Sequence, residues 1–201
     1  MSRQKCTQVI GSYDVESLKR RLSPESSLRE FERANGPISA VAIIIEPTHE
    51  GASILLIRRR DRQGDPWSGQ IAFPGGHKSA ADKTLLQTAI REALEEVGIA
   101  LHDHELLGVL PLAYSHTRKM PVASFVFALK NGAPITLNDE VAESFLVPLN
   151  ELSKISPITS QVQVERSKLD VDSYVYDKHV IWGLTFRIIN ILLNKPQPRS
   201  S

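Results

Sequence analysis

A glycine turn that leads into an acidic helix constrains this chain more than any other segment. The turn is the Phe-Pro-Gly-Gly sequence at residues 73–76. Because proline cannot donate to a β-ladder and glycine permits a tight turn, we expect a strand to end here. A helix is predicted from about Thr84 to Val97, with Gly98 in the position of a C-cap. Backbone groups in such a turn can reach a metal ion or a phosphate directly.

The predicted helix has an acidic side and an apolar side. With about 100° of rotation per residue, Glu92, Glu95 and Glu96 fall within about 100° of one another. The apolar residues cluster on roughly the opposite side: Leu86, Ile90, Ala93, Leu94 and Val97. Three carboxylates this close repel one another, so the arrangement favours a bound cation, and hard oxygen ligands suit Mg²⁺ or Mn²⁺. Arg91 can pair with Glu95 across i,i+4.

An Arg-Glu-x-x-Glu-Glu pattern alone is typical of a solvated helix face. Together with its turn and cap, however, the segment resembles the box of the Nudix hydrolase family, Gly-x5-Glu-x7-Arg-Glu-U-x-Glu-Glu-x-Gly-U, in which U is a bulky aliphatic residue. The parts of the chain that fit this box are Gly76, Arg91-Glu92, Glu95-Glu96 and Gly98-Ile99. The spacer before Arg91 is one residue longer, Asp82 stands where the first glutamate is expected, and Ala93 replaces a larger aliphatic residue.

The longer spacer and the alanine after Arg-Glu look like the coenzyme A pyrophosphatase branch of that family. This branch also shares the approach Gly-Gln-Ile-x-Phe-Pro-Gly-Gly, here residues 69–76. Its upstream signature places Leu-Leu-Thr-x-Arg-Ser and a further arginine before that glycine, and Arg60 fits one of the arginines. Arg58, Asp61 and Asp65 stand where the threonine, the serine and the second arginine are expected.

The resemblance implies a fold of the α+β class, an α/β/α sandwich with a mixed β-sheet between helices. It implies a divalent-metal-dependent hydrolase that cleaves the pyrophosphate bond of a nucleoside diphosphate linked to another moiety, with coenzyme A or its derivatives as candidate substrates. The expected cofactor is Mg²⁺ or Mn²⁺, and the expected partner is a small-molecule nucleoside diphosphate derivative. The implied metal ligands are Glu92, Glu95, Glu96 and the Gly76 carbonyl. The implied catalytic residues are Arg91, Glu95, Glu96 and a loop acid, Glu140.

Other functions are open at this stage. Within hydrolases, the alternative is a house-cleaning enzyme acting on oxidised nucleoside triphosphates, ADP-ribose or sugar nucleotides. A non-catalytic nucleotide-binding sensor with the same fold usually loses box glutamates, which this chain keeps. An isomerase acting on an isoprenoid diphosphate would need a cysteine paired with a glutamate, and Cys6, the single cysteine, lies far from the predicted site.

Several further residues are candidates for substrate contacts. Arg58 and Arg60 share one face of a predicted strand and can bind phosphate oxygens, and Arg60 is favoured because it fits the branch motif. Trp67 can stack on a base or pack as a loop anchor, and Gly75 can present its backbone to the phosphates. Glu143 is an alternative to Glu140 as the loop acid.

The roles of two other residues are less specific. Asp82 is interpreted either as an acid near the box or, with slight preference, as part of a Ser79–Asp82 capping box. A lone loop histidine such as His116 is more often neither base nor ligand, although it is a candidate substrate contact.

Composition bounds the class of protein. The chain has 201 residues and a net charge of +1, which suits one sizeable domain and argues against a strongly electrostatic nucleic-acid binder. One cysteine excludes an internal disulfide framework, and no apolar run is long enough to cross a bilayer. We therefore expect a cytoplasmic protein without a membrane or nucleic-acid partner, and a possible homodimer. The predicted organisation is an N-terminal helical extension at 1–35, a Nudix domain at 36–195 and a disordered tail at 196–201.

Hydrophobic periodicity predicts the remaining elements. Helical pieces are expected at 14–22, after Ser23, at 150–155 and at 182–193. Strands are expected at 39–46, 53–60, 106–112, 122–129, 145–148 and 173–176, with Asn131-Gly132 as a turn.

Overall fold

The structure is a computed structural model that describes residues 13–29, 39–65, 67–114, 120–130, 132–164 and 167–197. Five sequence-based interpretations fall outside the described residues in whole or in part. These concern the N-terminal extension at 1–35, Cys6, His116, the Asn131 turn and the tail from residue 198 onward. The proposed boundaries at residues 35 and 195 stay predictions.

An eight-stranded mixed sheet forms the centre of the described part of the chain. Its strands are β1 (Ser39–Thr48), β2 (Gly51–Arg59), β3 (Ile71–Ala72), β4 (Gly75–His77), β5 (Glu105–Val109), β6 (Ala113–Tyr114), β7 (Pro121–Ala128) and β8 (Val141–Pro148). The order is β3-β2-β1-β7-β5, with β4 paired to β1, β6 to β7 and β8 to β2. β1 and β7 are parallel and the other pairs are antiparallel, so the predicted mixed sheet is confirmed.

β1 is central because both of its faces are apolar. Residues 41–45 are all aliphatic and buried, as expected of a strand covered on both sides. Since side chains alternate between faces, Ala42 and Ile44 enter one hydrophobic core while Ile43 and Ile45 enter the other. The sheet therefore separates two cores.

Helices cover the two faces of the sheet. They are α1 (Val15–Lys19), α2 (Leu85–Val97), α3 (Leu149–Leu152) and α4 (Gly183–Leu192). α2 places its apolar side in the core that contains Ile44. The other three helices contribute to the core that contains Ile43. This arrangement confirms the α+β class with a sheet between helices, and no helix in the described ranges combines the length and apolarity needed to span a bilayer.

A second sheet departs most from the sequence prediction. β9 (Ile158–Val164), β10 (Ser167–Tyr176) and β11 (His179–Trp182) form an antiparallel sheet of order β11-β10-β9, whereas only residues 173–176 were predicted as strand. β9 is exposed or half-buried along its whole length, so it lacks the buried apolar face on which the prediction relied. Trp182 ends β11 and occupies the N-cap position of α4.

The remaining predicted elements agree with the structure to within a few residues. β8 begins four residues earlier than expected, at Val141 rather than Phe145. The helical piece after Ser23 is a short 3-10 helix, Glu25–Leu28.

Candidate active site

Local capping fixes both ends of α2. The Thr84 side chain accepts the Gln87 N–H at 3.2 Å, and Gln87 in turn accepts the Lys83 N–H at 2.7 Å, a capping arrangement that satisfies otherwise unpaired donors. At the other end Gly98 has φ 73°, the left-handed conformation expected of a glycine C-cap. The N-cap of α2 is Thr84, but the Asp82 carboxylate accepts the Ser79 N–H at 2.9 Å, the bond that the predicted Ser79–Asp82 capping box requires.

Asp82 also binds Arg91. Its Oδ2 atom accepts hydrogen bonds from Arg91 Nη2 at 2.9 Å, from the Ser79 N–H at 2.9 Å and from the Thr88 hydroxyl at 3.1 Å. The Asp82 side chain is only 6% exposed. The Arg91 guanidinium, acting against burial, lowers the pKa of Asp82 well below its ordinary value. The carboxylate thus stays ionised and anchors Arg91.

Arg91 distributes its remaining donors among the box acids. Nη1 lies 2.8 Å from Glu92 Oε1 and 2.9 Å from Glu95 Oε2, and Nη2 donates to the His77 carbonyl at 3.2 Å. The predicted i,i+4 pair with Glu95 is therefore confirmed. Because Arg91 contacts the strand β4 as well as the helix, it ties the glycine turn to α2 and aims two of the glutamates.

Glu96 is the most unusual carboxylate in the described part of the chain. It is 3% exposed, and its Oε2 atom accepts the Gly75 N–H at 2.9 Å. Burial raises its pKa to about 7, the Gly75 bond and Arg59 oppose that rise, and the charges of Glu92 and Glu140 add to it. A buried carboxylate that accepts one backbone hydrogen bond is costly to ionise.

Glu92 shares this environment. Burial raises its pKa, the neighbouring Arg91 opposes the rise, and the charges of Glu95 and Glu140 reinforce it. The like charges that raise the pKa values of both Glu92 and Glu96 are those that a divalent cation relieves.

The two glycines are required by close approach. A Cβ atom at Gly76 would lie 2.7 Å from Glu92 Cδ, and a Cβ at Gly75 would lie 2.7 Å from Val41 Cα on β1. The backbone of β1 cannot give way to a Cβ at Gly75, whereas a Cβ at Gly76 would displace the Glu92 carboxylate from its position. Glycine therefore lets the turn lie directly against the acidic side of α2.

The carboxylate oxygens on the acidic side of α2 suit a hard divalent ion, although they do not converge on a single point in this structure. Within the described ranges, no three His, Cys, Asp or Glu side chains converge as metal ligands. Glu95 is turned toward Arg91 and its side chain is 53% exposed. The mutually repelling carboxylates of the half-buried Glu92 and the buried Glu96 offer the oxygen donors that Mg²⁺ and Mn²⁺ prefer.

Arg59, not a predicted site residue, is the arginine of β2 that faces the glutamates. It follows Leu55 and Ile57 on the face that α2 covers, and its charge lowers the pKa of Glu96. Its Nη2 atom lies 3.2 Å from Asp65 Oδ2, while its buried Nε has no hydrogen-bond partner among the described residues. The signal that could have identified Arg59 is its alternation with Leu55 and Ile57, because the face of β2 that carries these residues packs against α2.

The structure does not bring Arg58 to the glutamates. Arg58 lies on the opposite face of β2, where it pairs with Asp61 Oδ2 and Glu143 Oε1, each at 3.2 Å. Glu143 also lies 3.2 Å from Lys178 Nζ and 3.6 Å from His179 Nδ1. Of the two candidate loop acids, only Glu140 contributes its charge to the box carboxylates.

Arg60 lies beyond the end of β2 and binds backbone. Its Nε donates to the Asp139 carbonyl at 2.8 Å and its Nη2 to the Val141 carbonyl at 3.2 Å. Arg62 Nη1 reaches Glu140 Oε1 at 3.3 Å. Trp67, in the loop between β2 and β3, is 37% exposed. Its backbone N–H donates to Asp65 Oδ1 at 3.0 Å.

Comparison with known proteins extends these observations. A family model for the NUDIX domain matches residues 36–165. A protein named Nudix hydrolase NudL from Pectobacterium atrosepticum is 34% identical over 171 residues, covering 83% of this chain and 85% of that protein. The protein of that name from Photorhabdus laumondii is 39% identical over 145 residues, covering 71% and 77%. A solved C. elegans Ap4A hydrolase binary complex has a TM-score of 0.49 at 20% identity, covering 58% of this chain and 83% of that chain. The family model spans every box acid and arginine described above.

Proposed function

Because this chain belongs to the Nudix family, we propose that it hydrolyses the pyrophosphate bond of a nucleoside diphosphate linked to another moiety, with a divalent ion as cofactor. The observation that carries this proposal is Glu96, a buried carboxylate hydrogen-bonded to Gly75 of the glycine turn and beside the similarly perturbed Glu92. Perturbed carboxylates grouped next to an open turn are typical of catalytic sites.

Glu92 and Glu96 would hold the ion, with the Gly76 carbonyl as a further ligand and Glu95 available once it leaves Arg91. A bound Mg²⁺ or Mn²⁺ would neutralise charge on the phosphates and lower the pKa of the attacking water. Gly75, whose N–H holds Glu96, keeps that carboxylate at the turn. The Asp82–Arg91 pair aims the acidic side of α2.

Arg59 is the proposed phosphate contact from the protein. Its guanidinium faces the acids, and Asp65 binds one end of it, which leaves donors for bidentate bonds to phosphate oxygens. Glu140 is the proposed acceptor of the proton of the attacking water, because it lies near Glu92 and Glu96 but outside the Arg91 network. Trp67 is exposed enough to stack on a substrate base.

Coenzyme A and its derivatives are the proposed substrates, on the strength of the Gly69–Gly76 approach and the longer box spacer. Oxidised nucleoside triphosphates, ADP-ribose and sugar nucleotides are the runner-up substrates. We also propose a cytosolic location, consistent with a single cysteine, and a homodimer, which sedimentation would test.

The test is a panel of coenzyme A, ADP-ribose, NADH, dinucleoside polyphosphates and oxidised dNTPs with Mg²⁺, Mn²⁺ or excess chelator. Wild type is compared with Glu96→Gln and with Glu50→Gln, whose side chain is 84% exposed and serves as a matched control. We expect metal-dependent release of phosphate-containing products by wild type and Glu50→Gln only. Substantial turnover in chelator, or full activity of Glu96→Gln, contradicts the proposal. Tight binding without turnover of any compound would indicate a sensor module.

A further inference from the structure

The turn that carries Glu140 is held by an arginine from another part of the sheet. Arg60 donates from Nε to the Asp139 carbonyl at 2.8 Å and from Nη2 to the Val141 carbonyl at 3.2 Å. Its backbone N–H also donates to the Glu140 carbonyl at 2.7 Å. Arg60 therefore binds three successive carbonyls, those of residues 139, 140 and 141, on both sides of the Glu140 side chain.

The same turn is anchored to the box helix. The Asn138 N–H donates to the Glu96 carbonyl at 3.3 Å, and the Asn138 side chain accepts the Glu140 N–H at 2.8 Å. Arg62 adds a bond from Nη2 to the Asp139 carbonyl at 3.3 Å. Residues 138–141 thus have one support on α2 and a second on the segment after β2.

This anchoring has a consequence for the acid it carries. The Asn138–Glu96 bond places the turn beside the part of α2 that carries Glu96, so the turn presents the Glu140 carboxylate to the box from outside α2. The other support of that carboxylate, Arg62 Nη1, is 3.3 Å away, and both side chains are about half exposed. A solvent-exposed pair of this kind restrains a side chain weakly. The backbone bonds of Arg60 are the stronger determinant of where Glu140 lies.

We propose that Arg60 is a positioning residue that fixes the 138–141 turn and thereby presents the Glu140 carboxylate to the site formed by Glu92 and Glu96. This inference rests on the proposed hydrolase function, and it assigns to Arg60 a role through Glu140 in place of a direct phosphate contact. A guanidinium suits the role because its planar fork spans two carbonyls, which a lysine ammonium on one stem does not.

The kinetic test is a double-mutant cycle with Arg60→Gln, Glu140→Gln and the double variant, assayed on the best substrate of the panel. A misplacement of about 1 Å costs on the order of 100-fold in rate, so we expect Arg60→Gln to lower kcat by about 10- to 100-fold with KM nearly unchanged. Once Glu140 is glutamine, the Arg60 substitution should cause little further loss, because the two residues act in series. Arg60→Lys should fall between wild type and Arg60→Gln.

Two kinetic outcomes overturn the proposal. One is a rise in KM on Arg60→Gln that persists undiminished in the Glu140→Gln background, which indicates direct phosphate binding by Arg60. The other is a Glu140→Gln variant with wild-type kcat, which removes the acid from the machinery. The control is Arg20→Gln, at an exposed arginine that follows α1, and this variant should behave as wild type.

A second measurement needs no substrate or metal. Amide hydrogen exchange at residues 138–141 should accelerate in Arg60→Gln, while exchange in α2 and β1 stays at the wild-type rate. Unchanged protection of the turn overturns the proposal even where activity falls. Because this readout is independent of turnover, a failed substrate panel or an active Glu96→Gln contradicts the hydrolase function without being mistaken for a failure of the Arg60 role.

Discussion

Replacing Glu96 by glutamine should stabilise the protein at alkaline pH although it removes a residue proposed for activity. Glu96 is 3% exposed, and burial raises its pKa from 4.5 to about 7. A carboxyl with a raised pKa in the folded state binds its proton more tightly there than in the unfolded chain. Ionisation of Glu96 therefore destabilises the fold as the pH rises from about 4.5, and the whole penalty is present above about pH 7.

The free-energy penalty of ionising Glu96 follows from its pKa values in the unfolded and the folded chain. The interval between 4.5 and about 7 corresponds to roughly 3 kcal/mol, at about 1.4 kcal/mol for each pH unit. Glutamine keeps an oxygen that can accept the Gly75 N–H, so the substitution removes the charge without removing the bond. We expect Glu96→Gln to gain about 3 kcal/mol of unfolding free energy at pH 8.5 and about 1 kcal/mol or less at pH 5.

Urea unfolding in chelator at both pH values measures this difference, with Glu50→Gln as the exposed control. Adding Mg²⁺ should then stabilise wild type more than Glu96→Gln, since an ion that binds only the native state adds to its stability. A stability difference that is equal at pH 5 and pH 8.5 would refute the reasoning, because a buried charge cannot then be its source.

Three further substitutions test other parts of the site. Arg59→Gln should raise KM about tenfold or more with little change in the unfolding midpoint, as measured by steady-state kinetics. Asp82→Asn should lower the unfolding free energy by about 2 kcal/mol at neutral pH, as measured by urea unfolding, because it leaves Arg91 without its buried charged partner. This difference from wild type should shrink in strong acid, where Asp82 of wild type takes up its proton. Gly98→Ala should cost about 1 to 2 kcal/mol, since φ there is 73° and a Cβ would lie 3.0 Å from Thr136 Cβ; a neutral result in thermal unfolding would contradict the strain argument.

The helix and its turn were predictable because their signals are local. The cap at Gly98, the i,i+4 pair of Arg91 and Glu95, and the acidic side of α2 all depend on residues within a few positions of one another. The central strands were predictable for a similar reason, since residues 41–45 of β1 form an unbroken aliphatic run that is typical of a buried strand.

The choice among the arginines was not predictable in the same way. Alternation along β2 separates Arg58 from Arg59 but does not say which face α2 covers, because that depends on packing between distant segments. Arg60 has left the strand, so period-two reasoning no longer applies to it. β9 was missed because neither of its faces is buried, which leaves no hydrophobic pattern to detect.

The pairing of β2 with β8 contains a β-bulge just after the turn that carries Glu140. Arg58 pairs with Glu143 and Arg59 with Val141, so Ala142 has no partner across the ladder. Because the bulge takes up one residue, Val141 points to the side of the sheet that α2 covers, while Glu143, two positions later, points to the other side. Ala142 thus lets a single strand lead from the Glu140 turn beside α2 to the acid that pairs with Arg58 on the opposite side of the sheet.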